Sequence, residues 1–330
     1  MPSRNRHAIA VVVLVPVLAA LALWAFAWPA SRIAPRDLPL GVAGPPAAAA
    51  QVEKQLERHE GAFEIHRYAD EAAARDAIKD RSAYGAVVVT RQGPELLTAS
   101  AAGPVVAQFL QQAVGQQAAA RGAQVKTVDV VPTPASDPRG AALSAAVLPL
   151  ALAGIAAGAV VTLLGLRGVR AALALLGASA LVGVVAAGIA HSWLGALGGD
   201  WWAEAGVLAL STLAVGGAVA GLAALVGPAG TGIGAAVVML IGNPFSGATS
   251  APQMLPEPAG AIGQWLPPGA GTTLLRSVSS FDGAAATGPA LTLAWWAVLG
   301  LGAVLLGSSL RARRTGSEPA ADRRELSAVA

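Results

Sequence analysis

The sequence predicts a polytopic α-helical membrane protein with six transmembrane helices and a small extracytoplasmic α/β domain inserted between helices one and two. The first observation is a set of six apolar stretches that contain no Asp, Glu, Lys, Arg or His. Five of them have the length of about 20 residues that crosses the bilayer hydrocarbon as a helix. The second observation is a change to alternating and amphipathic patterns after Leu38, which predicts strands and helices. The six stretches are 8–28, 141–164, 171–190, 205–227, 229–242 and 289–310.

These patterns divide the chain into six parts. The fifth apolar stretch is short, and the connection that follows it is broken by prolines. We predict a cytoplasmic N-terminus with the first transmembrane helix (1–28), an extracytoplasmic α/β domain (29–140), transmembrane helices two to five (141–242), an outer re-entrant or interfacial segment (243–288), the sixth transmembrane helix (289–310) and a disordered cytoplasmic tail (311–330).

Composition excludes chemistry that needs cysteine. Of the 330 residues 55% are hydrophobic and only 12% are charged, and there is no cysteine. Disulfides, thiol catalysis and cysteine-bound metals are therefore excluded. The four histidines are scattered without metal-ligand spacing. We expect no catalytic residue, no metal and no cofactor. A membrane enzyme acting through Glu257, Arg276 or Asp282 is an alternative with no supporting motif.

Arginine placement predicts the orientation. Cytoplasmic loops are enriched in Lys and Arg, and the basic excess lies in Arg4 and Arg6, in Arg167 and Arg170, and after residue 310. Residues 29–140 carry twelve basic and twelve acidic side chains. We predict a multi-pass cell-membrane protein with both termini cytoplasmic and residues 29–140 outside. The high pI of about 9.8 then reflects topology, so no nucleic-acid partner is expected.

The first apolar stretch has a second interpretation as a cleaved signal peptide. It has a basic start and small residues near Ala25 and Ala27. Signal peptides, however, have apolar regions of about 7–15 residues, whereas this stretch has about 21 and ends in Trp24 and Trp28. Tryptophan at the end of a stretch is typical of a span anchored at the membrane–water interface.

The predicted outer domain alternates strands with helices, which is typical of a small α/β layer domain. Asp70 has the position of an N-cap for the second helix. No catalytic motif accompanies these elements, so a binding or docking role is expected. The predicted strands are 38–43, 63–68, 84–89, 95–101 and 124–131, and the predicted helices are 47–60, 70–81 and 104–121.

Within the spans, glycines four residues apart predict a close-packed helical bundle, because small residues let helices approach closely. The pairs are Gly154 with Gly158, Gly217 with Gly221, and Gly230 with Gly234. Charges inside spans mark ion and proton pathways, and their absence argues against an ion-coupled carrier. The chain also lacks a phosphate-binding loop, so any ATP hydrolysis belongs to a partner.

The segment 243–288 is too broken by proline to span the bilayer and too apolar for a free loop. Non-helical backbone at membrane depth is stable when it packs on protein or lines a wet cavity. We predict short re-entrant or interfacial helices at the outer mouth, with an ordinary interfacial loop as the alternative. The candidate residues are Asn243, Pro244, Ser246, Gly247, Pro267, Pro268, Gly269, Arg276 and Asp282.

The order of one span, an outer domain and five spans, with Asn-Pro-Phe-Ser-Gly at 243–247 and Leu-Pro-Pro-Gly-Ala at 266–270, resembles ABC-type exporter permeases of the type-2 group. It is most similar to their relatives in the phage infection protein group. The resemblance implies export of a lipid, drug or polymer, driven by a separate ABC ATPase subunit. It also implies a permease that forms a homodimer or heterodimer in contact with membrane lipid.

One feature departs from that family. Type-2 permeases usually carry a cytoplasmic coupling helix between the second and third spans, whereas here only residues 165–170 connect them. Arg167 and Arg170 are the candidate cytoplasmic contact with a partner, and they serve equally well as topology anchors. The alternative function is a non-transporting cell-envelope scaffold or surface receptor that acts through residues 29–140.

Overall fold

The computed structural model describes residues 2–120, 122 and 124–316, and these residues are mostly helical with one small sheet. The helices and strands follow in chain order: α1 Pro2–Ala30, β1 Leu38–Ala43, α2 Pro46–Leu56, β2 Phe63–Tyr68, α3 Glu71–Lys79, β3 Gly85–Thr90, β4 Gly93–Thr98, α4 Pro104–Ala119, β5 Lys126–Asp129, α5 Ala141–Leu163, α6 Gly168–Ala187, α7 Trp201–Val226, α8 Pro228–Val237, α9 Ala259–Trp265, α10 Pro267–Ser280 and α11 Thr287–Gly316.

Among the described residues, five helices are long and apolar enough to cross a membrane. They are α1, α5, α6 with the π-helical turn that extends it to Trp193, α7 and α11. The shorter apolar helix Pro228–Gly242 consists of α8 and a π-helical turn. It spans roughly 22 Å at 1.5 Å per residue, less than the hydrocarbon thickness. The chain is thus consistent with a polytopic membrane protein, and the sixth crossing stays a prediction.

The sheet has five strands in the order β2-β1-β3-β4-β5. All neighbouring strands are parallel except β3 and β4, which form an antiparallel hairpin. Side chains alternate between the two faces, so Leu40 and Val42 of β1 lie in one apolar cluster with α2 and α4, while Ala43 lies in the other with α3. Asp70 caps α3, since its carboxylate accepts a hydrogen bond from the Ala73 amide at 2.9 Å. We call this part, residues 38–129, the α/β unit.

Helix α7 is the centre of the bundle, because it packs against α5, α6, α8, α10 and α11. The glycine pairs predicted from the sequence lie at these contacts. A Cβ atom added at Gly154 or Gly158 would come within 2.6 Å of Val215 Cβ or the Gly216 carbonyl oxygen of α7. Gly221 on α7 meets Gly300 and Ala303 of α11, and Gly230 of α8 lies against the Leu222 backbone. The predicted close packing is therefore present in the described bundle.

Several element bounds differ from prediction. Helix α2 ends at Leu56 instead of Glu60, and residues 57–62 form turns. The last strand is shorter than predicted, at four residues. Helix α11 continues through Gly316, so the first six residues of the predicted disordered tail are helical. The remaining predicted tail, residues 317–330, lies outside the described residues.

Candidate functional site

The segment 243–288 folds into a tight hairpin of two short helices, α9 and α10, preceded by a turn of 3₁₀ helix at Pro252–Met254. Pro267 and Pro268 start α10, where their missing amide hydrogens leave no helical bond unmade. Glycine permits the close approach: a Cβ added at Gly263 or Gly269 would lie within about 2 Å of a backbone oxygen of Phe245 or Gly263. Most of α10 is buried against α7, α11 and α5.

The structure brings most of the predicted candidate residues together on this hairpin. Asn243 ends the π-helical turn after α8, and its carbonyl accepts a hydrogen bond from the buried Ser246 hydroxyl at 2.7 Å. Pro244 follows within the same turn. Gly242, next to Asn243, packs on the ring of Pro268. Gly247 has a positive φ of 68° and presents its carbonyl to α10.

Arg276 is the buried cation of this hairpin, with 4% relative exposure. Its guanidinium donates hydrogen bonds to two backbone carbonyls, those of Gly247 at 3.4 Å and Ala248 at 2.5 Å. The Ala248 carbonyl also accepts a bond from the Ser144 hydroxyl of α5 at 2.7 Å. A buried charge must be compensated by partners, so this contact fixes the 247–248 loop between α5 and α10.

No carboxylate among the described residues forms a salt bridge with Arg276. Asp282, the acidic residue expected near it, is exposed and stands in a turn with a φ of 49°. Asp137 lines the same cavity of about 20 Å³ as Arg276, which is room for one water molecule. The Asp137 carboxylate accepts hydrogen bonds from the first amides of α5, at Ala141 and Ala142. Because Asp282 is exposed and forms no salt bridge with Arg276, it takes no part in the site.

A second, partly buried arginine, Arg81, ties the α/β unit to α10. Its guanidinium donates to the Thr273 carbonyl at 2.9 Å and to the Ser277 hydroxyl, and it lies 5.2 Å from the centre of the Phe281 ring. Burial lowers the pKa of Arg81. Sequence reasoning missed this residue, because it follows α3 in a turn with a φ of 61° and its partners lie about 190 residues away.

Two further contacts reinforce the attachment. The Tyr84 hydroxyl donates to the Gln253 side-chain oxygen at 2.9 Å, and burial raises the pKa of this phenol. The linker after α1 pairs with the same turn, since the Ala34 and Arg36 amides donate to the Met254 and Gln253 carbonyls at 3.1 Å and 2.9 Å. Met254 and Phe281 complete the two apolar clusters of the α/β unit. The hairpin and the unit are thus one packed body.

A His–carboxylate pair lies at the neighbouring ends of α6 and α7. Glu204 is fully buried; its carboxylate accepts from the Gly199 amide at 2.8 Å and lies 2.7 Å from His191 Nδ1. Both residues fell just outside the apolar stretches of the sequence, whereas the helices that could span the membrane include them. The candidate spans α6, with its π-helical turn, and α7 therefore each carry one ionisable residue near the end that neighbours the other helix.

The two arginines of the predicted cytoplasmic contact lie at the opposite end of α5 from this site. The connection between α5 and α6 is only four residues, 164–167, and Arg167 and Arg170 are both exposed. A cavity of about 100 Å³ beside Arg167 is lined by α5, α6, α7 and α11. The structure therefore separates the candidate residues into two groups at the two ends of the bundle.

Residues 7–166 match the family model described as ABC-2 family transporter protein, over slightly less than half of the chain. The match supports an ABC-2 type permease. It covers most of α1, the α/β unit, α5 and the start of the turn that holds Arg167, and it ends before the hairpin at 243–288. In this family the permease is the transmembrane component and not the catalytic one, and it generally associates with an ABC ATPase subunit. No curated protein and no solved structure matches the chain.

Proposed function

We propose that this chain is the membrane permease subunit of an ABC-type exporter that moves a lipid, drug or polymer with a separate ATPase. The observation that carries the proposal is the ABC-2 family match over residues 7–166. The proposal includes six membrane crossings, both termini in the cytoplasm and the α/β unit outside. It also includes a dimer of permeases and a close relationship to the phage infection protein group.

The packing of the hairpin supports this role. Transport requires that a movement driven on the cytoplasmic side reaches the outer mouth through elements that move together. The hairpin joins α5 through Arg276 and Ser144, and it joins the α/β unit through Arg81 and Tyr84. A shift of α5 would therefore move α10 and the α/β unit together.

The exposed turn between α5 and α6 is the proposed contact for the ATPase. Arg167 and Arg170 present two positive charges there, which would complement an acidic groove on a partner. The test is whether an ABC ATPase subunit copurifies with the full chain in gentle detergent, followed by the Arg167→Glu/Arg170→Glu variant. Retained copurification of the variant would refute this contact, and absence of any ATPase partner would refute the exporter.

The orientation has its own test, which the cysteine-free sequence makes simple. Lys79 in the α/β unit and Arg170 beyond α5 are both exposed. A membrane-impermeant maleimide should label Lys79→Cys in intact cells and label Arg170→Cys only after the membrane is opened. The reverse pattern would contradict the proposed topology.

A second candidate is a non-transporting envelope scaffold or receptor that acts through the α/β unit. The observation that favours it is the four-residue turn at 164–167, which leaves no room for a coupling helix. A strain that carries a hydrolysis-defective ATPase partner distinguishes the two. A scaffold keeps its cellular phenotype in that strain, whereas an exporter loses it.

A further inference from the structure

An apolar groove among the described residues lies between α5 and α6. It has a volume of about 710 Å³, and almost all of its surface is formed by Ala, Val, Leu, Ile and Pro side chains. Its walls are residues 142–153 of α5 and 178–190 of α6 with its π-helical turn, Leu208 of α7 and Leu275 of α10 form its floor, and Leu194, Ala196 and Leu197 of the following loop also line it. The volume is within the range of small-molecule binding sites, which is about 300–1,000 Å³.

The groove has the length of one membrane leaflet. Residues 142–153 of α5 cover about 16 Å at 1.5 Å per residue, and half of the bilayer hydrocarbon is about 15 Å. Both walls belong to helices long and apolar enough to cross a membrane. The groove runs from the end of the bundle next to the α/β unit to the middle of α5. Its dimensions and apolar surface therefore fit an acyl chain of the leaflet on that side.

The end of the groove next to the α/β unit carries two opposite charges, Asp137 and Arg139, and the first amides of α5, at Ala141 and Ala142, already bond the Asp137 carboxylate. Arg139 lies three residues before Ala142 of the groove wall, so its backbone is within about 10 Å of the opening. The Arg139 side chain is exposed and makes no ion pair or hydrogen bond among the described residues. Trp193, 78% exposed at the end of the α6 turn, marks the headgroup level. An arginine at this level complements a lipid phosphate.

We infer that the α5–α6 groove binds an anionic glycerophospholipid, with one acyl chain between the two helices and its phosphate beside Arg139. This inference requires that α5 and α6 cross the bilayer, as the proposed function does, but it does not depend on an ATPase. Binding can therefore be measured on the permease alone, and failure of the exporter proposal would leave the result interpretable.

The test uses the full chain in phosphatidylcholine nanodiscs that contain phosphatidylglycerol with a photoreactive diazirine on one acyl chain. Crosslinked lipid should be found by mass spectrometry on peptides that contain 142–153 and 178–197. The matched variants are Ala178→Trp, in the groove wall, and Ala180→Trp, exposed on α6 outside it. Ala178→Trp should lower crosslinking on these peptides about tenfold because its indole overfills the site, and Ala180→Trp should not.

The headgroup is tested separately. Arg139→Gln should reduce phosphatidylglycerol crosslinking about fivefold, the effect of one basic residue near an anionic lipid. A diazirine phosphatidylcholine should be unaffected. Arg91→Gln, an exposed arginine in the β3–β4 turn, is the control. Equal labelling of all apolar helices, equal effects of the two tryptophan variants, or crosslinks between two copies of the chain in place of lipid would each overturn the inference.

Discussion

The sharpest prediction concerns Gly300 of α11, where two helix backbones touch. A Cβ atom at Gly300 would lie 2.3 Å from the carbonyl carbon of Gly217 and 2.7 Å from the Ala218 nitrogen on α7. These are backbone atoms, which cannot swing aside as a side chain can. Gly302, two residues further along α11, offers the matched control, since a Cβ there meets nothing within 4 Å.

The magnitude follows from the geometry. To bring the closest contact in Gly300→Ala to an ordinary van der Waals distance, α7 and α11 must separate by about 1 Å, and overpacking of this kind costs about 1–3 kcal/mol. Gly302→Ala replaces a glycine inside a helix without a clash, which should raise the free energy of unfolding by about 0.5–1 kcal/mol. The two variants make the same chemical change on one helix, yet we expect opposite signs of the change in stability.

The assay is thermal unfolding of the two purified variants and the parent in one detergent, with each melting temperature measured by intrinsic tryptophan fluorescence and by size-exclusion chromatography after heating. Gly300→Ala should melt below the parent protein and Gly302→Ala at or above it. If both variants changed the melting temperature equally, or Gly300→Ala left it unchanged, the reasoning that α7 and α11 are in backbone contact would be refuted.

The remaining predictions concern the buried polar contacts. Arg81→Met should lower the melting temperature and speed proteolysis of residues 31–37. The substitution removes two hydrogen bonds from a charged donor, each worth about 1.5–3 kcal/mol before the burial cost is offset. Arg91→Met, an exposed control, should change neither the melting temperature nor the rate of proteolysis. The Glu204→Leu variant should have a lower melting temperature than Glu204→Gln, because only the amide can still pair with Gly199 and His191. The opposite order of melting temperatures would contradict the buried Glu204–His191 pair. Burial raises the pKa of Tyr68 and Tyr84, so tyrosinate absorbance should rise only above about pH 10. The stability contributed by the neutral Tyr84 phenol should persist below that pH and be lost above it. A tyrosinate titration with its midpoint below about pH 10 would contradict the burial of the two phenols.

The local pattern predicted much of the α/β unit. Strands β1 and β2 have the bounds expected from alternation, and Asp70 caps α3 as its position indicated. The span ends were predicted less well. The apolar stretches end at the first charged residue, whereas a helix continues to its capping residue. Helix α7 thus starts after Asp200, whose carboxylate accepts from the Ala203 amide, and includes Glu204.

The partners of the candidate site could not be predicted from the sequence. Arg276 stands out in the sequence as a charge in an apolar segment, but its acceptors are backbone carbonyls, which have no residue type to recognise. The role of Arg81 depends on Thr273 and Ser277, which no periodicity links to the α3 turn. The prolines and apolar residues of 243–288 mark that segment in the sequence, whereas the family match covers 7–166, and the two regions belong to one packed body.

Helix α5 connects the two ends of the proposed exporter. It is 23 residues long, about 34 Å, and it starts at the cap formed by Asp137 and ends at the turn before Arg167. Near its start, Ser144 binds the same Ala248 carbonyl that Arg276 holds. Since the short turn leaves no separate coupling helix, a force on Arg167 would act directly on α5. The shared carbonyl would then pass that displacement to α10, and Arg81 would pass it to the α/β unit.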